Sequence, residues 1–256
     1  MTDQESHDLD VMRARVGRVP FEVTTLAEAA EKVLNAGINH TAIPVRLSNA
    51  YCVALASNNP QYAALLNRDG WNFPDGTPVV WFIKRHRRFT NAQRVRGPSL
   101  FRLALDLGRR GNVRHFFLGT TDNTLTALTR RVEQDYPGIC ISGTYAPPFG
   151  DVDEKLISTC AEQILSSDAQ IAWVALGTPK QDFLAAELAE RTGRPCVAVG
   201  AAFDFVAGTA PEAPPWLQNS GFEWTYRLLK EPKRLWRRYL FGNVKFICVA
   251  LKGDRA

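Results

Sequence analysis

At 256 residues, with 45% hydrophobic and 22% charged residues, the chain can bury a full core in one large domain or one domain plus an appendage, which excludes a disordered chain or a disulfide-stapled miniprotein. Cys52, Cys140, Cys160, Cys196 and Cys248 are widely spaced without a CxxC pattern and read as buried thiols of a reducing compartment; no apolar run reaches the roughly 18–20 residues of a spanning helix. The net charge of +5 is held unevenly, because residues 227–252 carry eight Lys or Arg against one acid, Glu231, leaving the body slightly acidic.

The N-terminal MTDQESHDLD is polar and acidic, unlike a leader or an anchor, and residues 1–17 are expected to form a flexible arm. TAIPVRLSNAYCVALA predicts a strand over about 42–48 running into a helix. WNFPDGTPVVWF, residues 71–82, wedges one acid, Asp75, between Pro74 and Gly76. That acid is either placed for chemistry or is the ordinary carboxylate of a PDG turn. KRHRRF, with Arg94 and Arg96 beyond it, forms a basic cluster that is either a solvated face or a receiver of phosphates.

NVRHFFLGTTDNTLTALTRRVEQDYP predicts strand, turn and helix, with Leu125, Leu128 and Val132 at helical spacing and Asp122 or Asn123 as the cap. GICISGTY predicts a strand, DVDEKLISTCAEQILSS a helix, AQIAWVALGTPKQDFLAAELAERTG a strand, turn and helix, and PCVAVGAAFDF a last strand. This rhythm predicts an α/β fold, a doubly wound, mostly parallel Rossmann-like sheet over residues 18–208. Pro211, Pro214 and Pro215 mark a linker, and residues 209–256 are expected to form a helical, aromatic and basic C-terminal appendage.

Ligands of such sheets sit at the carboxyl ends of the strands, so chemistry is expected in GTTDN, GTYAPPF, GTPKQD and GAAFD. Gly119, Gly177, Thr178 and Pro179 are backbone candidates for substrate binding, since a glycine turn entering a helix exposes N–H groups to an anion such as a diphosphate. Gln181 offers a donor and an acceptor to a base or sugar. Asp204, expected just past a strand, is either a ribose or pyrimidine acceptor or a helix cap. The DVD of residues 151–153 resembles a metal-holding DxD but starts a helix, where acids favour the dipole. The four histidines lack ligand spacing, and GxGxxG, GxSxG and HExxH are absent. No metal and no cofactor is therefore expected.

LSNAYCVALA, FPDGTPVVW, QRVRGPSLF, GTYAPPF, ALGTPKQDF, VGAAFDFVAG and EAPPWLQNSGFEWTYRLLKEPKRLWRRY, taken together and in this order from about residue 18 to 243, resemble the WecG/TagA/CpsF glycosyltransferases, glycosyltransferase family 26. The resemblance implies a bacterial, metal-independent, inverting transferase that moves a sugar from a UDP-sugar to a polyprenyl-diphosphate-linked saccharide on the cytoplasmic face of the membrane. It implies Asp75 as general base and Asn49, Arg94, Gln181 and Asp204 as substrate contacts. Arg227, Arg234 and Arg237 of the tail would reach the donor diphosphate. Gln93 and Asp182 stand where the family has Glu, and Leu47-Ser48-Asn49 replaces the T-x-N of N-acetylmannosamine-handling members, which leaves the donor sugar open.

The expected partners are the UDP-sugar, the lipid-linked acceptor and an anionic membrane surface, without nucleic acid; a homo-oligomer stays open. The alternatives are another nucleotide-sugar enzyme, an epimerase or dehydrogenase, or a basic lipid- or nucleic-acid-binding protein.

Overall fold

The computed structural model describes residues 12–218 and 220–253, with the side chains of Arg87, Arg234, Arg237 and Arg238 outside that description. A hairpin of β1 (Arg13–Val16) and β2 (Val19–Glu22) leads into α1 (Leu26–Ile38), β3 (Pro44–Ser48), α2 (Ala50–Ala56), α3 (Pro60–Asn67), β4 (Trp71–Pro74) and α4 (Thr77–Lys84). Then come α5 (Gly97–Gly108), β5 (Arg114–Gly119), α6 (Asp122–Asp135), β6 (Cys140–Tyr145), α7 (Glu154–Ser166), β7 (Ile171–Ala175), α8 (Lys180–Thr192), β8 (Cys196–Ala198) and α9 (Ala202–Ala207). The tail adds α10 (Pro215–Gln218), α11 (Glu223–Lys230) and α12 (Pro232–Gly253).

Strands β3 to β8 form one parallel sheet in the order β4-β3-β8-β7-β5-β6. The chain builds β3 and β4, crosses to β5 and β6, then returns to fill the middle with β7 and β8. A crevice opens at the carboxyl ends where that order reverses, the expected place for a ligand. The PVRLS of β3 and the IAWVA of β7 are buried at every residue, as parallel strands covered on both faces must be.

On one face, α1, α5, α6 and α9 close over a nest of Phe101, Phe117, Trp173 and Phe203. Phe101 meets Trp173 edge-on at 5.0 Å between centroids. On the other face, α7 and α8 cover β5, β7 and β8. His115 lies on the first of these faces, beside Gly108 of α5, its Nδ1 accepting from Trp173 Nε1 at 3.1 Å, and burial pushes its pKa down to about 3. It is a neutral core histidine, which agrees with its lack of ligand spacing.

Three expectations are corrected. The flexible arm over 1–17 is too long, because Arg13–Val16 pairs antiparallel with Val19–Glu22 and buries Ala14 and Val16. The two-residue loop Gly17-Arg18 explains this: Gly17 has φ +59°, and a Cβ there would meet Val249 Cγ1 of α12 at 2.6 Å. Residues 1–11 lie outside the described residues. The cap of α6 is neither Asp122 nor Asn123 but Thr121, whose extended backbone lets its hydroxyl accept from Thr124 N at 3.3 Å. Asp204 sits in the first turn of α9, because the chain turns at Gly200 and enters a helix at Ala202.

The tail packs on the body. Phe246 and Ala250 of α12 are buried with Val16, Cys52 and Val53, and Phe82 of α4 meets Phe246 edge-on at 5.3 Å. The opposite face of α12 leaves Leu240, Phe241, Val244, Ile247 and Leu251 exposed.

Candidate active site

The loops that follow all six parallel strands meet around one cavity of about 750 Å³, a volume suited to a small-molecule ligand. Asn49 follows β3, Asp75 follows β4, Thr120 follows β5, Pro147 to Gly150 follow β6, Gly177 follows β7 and Gly200 to Ala202 with Asp204 follow β8; Glu223, Trp224, Arg227, Tyr239 and Asn243 close it from the tail.

Asn49 is the N-cap of α2, its Oδ1 accepting from Tyr51 N at 3.0 Å and Cys52 N at 3.4 Å. Asp75 is fixed by its backbone: its N–H donates to Ser48 O at 2.9 Å, continuing the β3–β4 ladder, and Pro74 O accepts from Val95 N at 2.8 Å. Gly76, at φ +118°, then turns the chain into α4. The PDG turn thus aims one carboxylate into the cavity.

Asp75 Oδ1 has no hydrogen-bond partner, and Arg94 Nη2 stands 3.5 Å from it. Burial raises the pKa of Asp75 above the usual carboxylate range; Arg94 opposes that rise, Glu223 adds to it, and Arg96 and Arg227 oppose it more weakly.

Arg94 and Arg96 face carboxylates of the tail. Arg94 Nη2 reaches Glu223 Oε2 at 2.6 Å, and Arg94 Nη1 donates to the carbonyl of Gln218. Arg96 Nη2 reaches Glu223 Oε1 at 2.9 Å, Arg96 Nη1 pairs with Glu212, and Arg102 Nη2 reaches Glu212 Oε2 at 2.7 Å. Burial alone would raise Glu223 and Glu212, but these arginines outweigh it and leave both carboxyls below their usual range. Sequence reasoning offers Arg96 only within a basic cluster and omits Arg102, Glu212 and Glu223. Their one local signal is the alternation of Arg94 and Arg96 in an extended segment, which points both side chains the same way.

At the start of α8, Gly177 N donates to Gln181 Oε1 at 3.0 Å, so the glutamine folds back over the turn at the cavity wall. Asp182 is anchored on the other side by Tyr62 Oη, which donates to it at 2.7 Å. Thr178 lines the cavity, whereas Pro179 sits at the N-cap of α8 and is not among the lining residues. Gly119 is not among them either. A Cβ there would lie 2.4 Å from Ala175 O, so this glycine serves the close approach of β5 to β7.

Asp204 lines the cavity, with Thr209 Oγ1 3.5 Å from its Oδ1. Arg227 lines it as well, its guanidinium 5.6 Å from the Phe205 ring. The side chains of Arg234 and Arg237 lie outside the described residues. In DVD, Asp153 Oδ1 accepts from Leu156 N at 2.8 Å as the cap of α7, and Asp151 pairs with Lys180 at 3.3 Å. Among the described residues no cluster of His, Cys, Asp and Glu is arranged to hold a metal ion.

The WecG/TagA/CpsF glycosyltransferase family model matches residues 14–255, from β1 to the end of the tail. The chain belongs to this family. Within it, the chain is 33% identical over 202 residues to an N-acetylglucosaminyldiphosphoundecaprenol N-acetyl-beta-D-mannosaminyltransferase of Bacillus spizizenii, covering 78% of this chain and 76% of that relative. It is 28% identical over 204 residues to the protein of that name from Bacillus subtilis strain 168, covering 78% and 75%. The family assignment extends over α11 and α12, so the tail that supplies Glu223 and Arg227 belongs to the glycosyltransferase unit.

Proposed function

We propose that the protein is an inverting glycosyltransferase that moves a hexose or N-acetylhexosamine from a UDP-sugar to a polyprenyl-diphosphate-linked saccharide at the inner face of the cell membrane. The relatives' names supply the acceptor class, a lipid diphosphate bearing N-acetylglucosamine. The observation that carries the mechanism is Asp75: a carboxylate aimed into the cavity from a backbone-held turn, with no hydrogen-bond donor on its Oδ1 and with its pKa raised by burial. Such a group is ready to take the proton of an acceptor hydroxyl as that oxygen attacks the anomeric carbon. The bond from that carbon to the UDP oxygen breaks on the opposite side, and UDP leaves with the electron pair.

Arg227 and the polar turn at Gly177 would face the departing diphosphate, with Gln181 and Asp204 on the nucleoside or sugar. No metal is required in this scheme, since Asp151 and Asp153 are engaged at the start of α7. Leu47 lines the cavity while Ser48 is buried, so a hydroxyl is missing where the family's T-x-N supplies one; that substitution tunes the donor sugar.

The exposed face of α12 fits an interfacial helix: Trp236, Leu240, Val244, Ile247 and Leu251 form an apolar stripe beside Lys233, Lys245 and Lys252. No helix among the described residues is long and apolar enough to cross a membrane. This surface would hold the protein where the lipid-linked acceptor resides.

Incubation with a panel of UDP-sugars, a lipid-diphosphate N-acetylglucosamine acceptor, anionic vesicles and EDTA tests the proposal. One donor should give a disaccharide lipid and free UDP at an undiminished rate in the chelator. Turnover only after Mg²⁺ or Mn²⁺ is restored would overturn the metal-free scheme, and no transfer from any UDP-sugar would overturn the donor assignment.

A further inference from the structure

Glu223 enters the cavity from the tail, at the first residue of α11, and is only 8% exposed. Both of its oxygens are committed to arginines of the body: Oε2 to Arg94 at 2.6 Å and Oε1 to Arg96 at 2.9 Å. Arg96 is gripped from its other side by Glu212, which fixes the pair of arginines against the tail. Arg94 Nη2, the nitrogen bound to Glu223, is also the nitrogen that stands 3.5 Å from Asp75 Oδ1. A guanidinium and a carboxylate that close, in a site this buried, would collapse into a hydrogen-bonded ion pair unless something stronger held one of them. Glu223, at a contact 0.9 Å shorter, is that holder.

We propose that Glu223 is a positioning residue: by holding Arg94 it keeps the 3.5 Å Arg94–Asp75 ion pair from closing into a hydrogen bond and leaves Asp75 open to a substrate hydroxyl. The proposal rests on the reading of Asp75 as the base.

Among the described residues, the charged groups that act on Asp75 are Arg94 and Arg96, from the segment between α4 and α5, and Glu223 and Arg227, from α11. Replacing Glu223 by a neutral side chain acts twice in one direction. It removes a negative charge that raises Asp75, and it frees Arg94 to bind Asp75 and lower it. The base then becomes weaker and partly blocked, while the nucleotide end of the cavity keeps its own residues.

The test is a titration of the Asp75 carboxyl by carbon-13 NMR in the full chain without substrate, its resonance identified by its absence in Asp75→Asn, alongside the pH dependence of kcat. In Glu223→Gln the Asp75 midpoint and the acid limb of kcat should both move down by about 1–3 pH units, the usual effect of a new opposite charge at contact. The same variant should lose at least about tenfold in kcat, within the range that general-base catalysis supplies. KM for the UDP-sugar should change much less. Glu223→Asp, which keeps the charge at shorter reach, should move the midpoint the same way by less, and it carries the test if the Gln variant does not fold. An unchanged midpoint in the folded variants would overturn the proposal, as would a kcat loss that follows only from unfolding at the assay temperature. A shifted midpoint in Glu223→Gln combined with a normal rate in Asp75→Asn would leave the hold on Arg94 standing and remove Asp75 from catalysis instead.

Discussion

Asp75, at the end of β4, and Glu223, at the start of α11, are carboxylates of one cavity that share Arg94, yet their protons are held in opposite ways. Asp75 is placed by backbone: a ladder hydrogen bond to Ser48, a glycine turn, and no donor on its Oδ1. Burial therefore wins and its pKa rises. Glu223 is placed by charge, between Arg94 and Arg96, and the arginines outweigh burial so that its pKa falls. The body thus places Asp75 through secondary structure, and the tail attaches to it through ion pairs. A carboxylate kept without donors is suited to accept a proton, whereas one saturated by guanidinium is suited to hold structure.

The largest expected effect breaks the body side. Asp75→Asn should lower turnover by at least about 100-fold, the low end for a general base. Its stability should be equal to or above that of the wild type at pH 7. The sign follows from the raised pKa, because the native state binds that proton more tightly than the unfolded chain, so the ionised carboxylate at neutral pH costs stability. Retention of more than a third of the wild-type rate, or a lowered unfolding temperature at pH 7, would contradict this reading.

The tail side predicts the reverse pattern. Glu212→Gln leaves Arg96 and Arg102 short of a partner, and the pair is partly buried, so stability should fall by roughly 1–3 kcal/mol at pH 7. The folded pKa of Glu212 is lowered, so its contribution is present above the ordinary carboxylate range and is lost as pH falls through the folded value. Denaturant unfolding should show wild type and variant converging in acid. A gap that persists there would assign the loss to packing.

Smaller effects should mark the nucleotide end. Gln181→Ala and Asp204→Ala each remove one or two hydrogen-bonding groups from the wall, which should weaken UDP binding about two- to tenfold by calorimetry. Unchanged affinity in both would move the nucleotide elsewhere in the cavity.

The same division explains what was legible in the sequence. The parallel sheet could be read because β3, β5 and β7 are short apolar runs followed by glycine or asparagine and a helical period, all local signals. Asp75, Gln181 and Asp204 could be placed together around one cavity because strand ends converge in such a sheet. Glu223 pairs with Arg96 across 127 residues, and no local pattern carries that information. The acids Glu212 and Glu223 of the tail carry no local signal, although it is they that meet the body's arginines. Thr121, the cap of α6, is hidden in the sequence because Asp122 and Asn123 are equally good capping residues one and two positions on. Gly119 resembled an anion-binding glycine, but its freedom is used for contact with Ala175. The β1–β2 hairpin follows a mostly polar N-terminal stretch that masks it, although Gly17-Arg18 between apolar residues is a hairpin loop.

The stereochemistry of transfer tests most directly whether Asp75 acts as a base on the acceptor. A UDP-sugar of defined anomeric configuration, labelled at the anomeric carbon, would be transferred by the full chain, and the one-bond carbon–hydrogen coupling of the product read by NMR. Attack by a deprotonated acceptor in a single displacement predicts inversion, a β-linked product from an α-linked donor. A product that keeps the donor's configuration would contradict it.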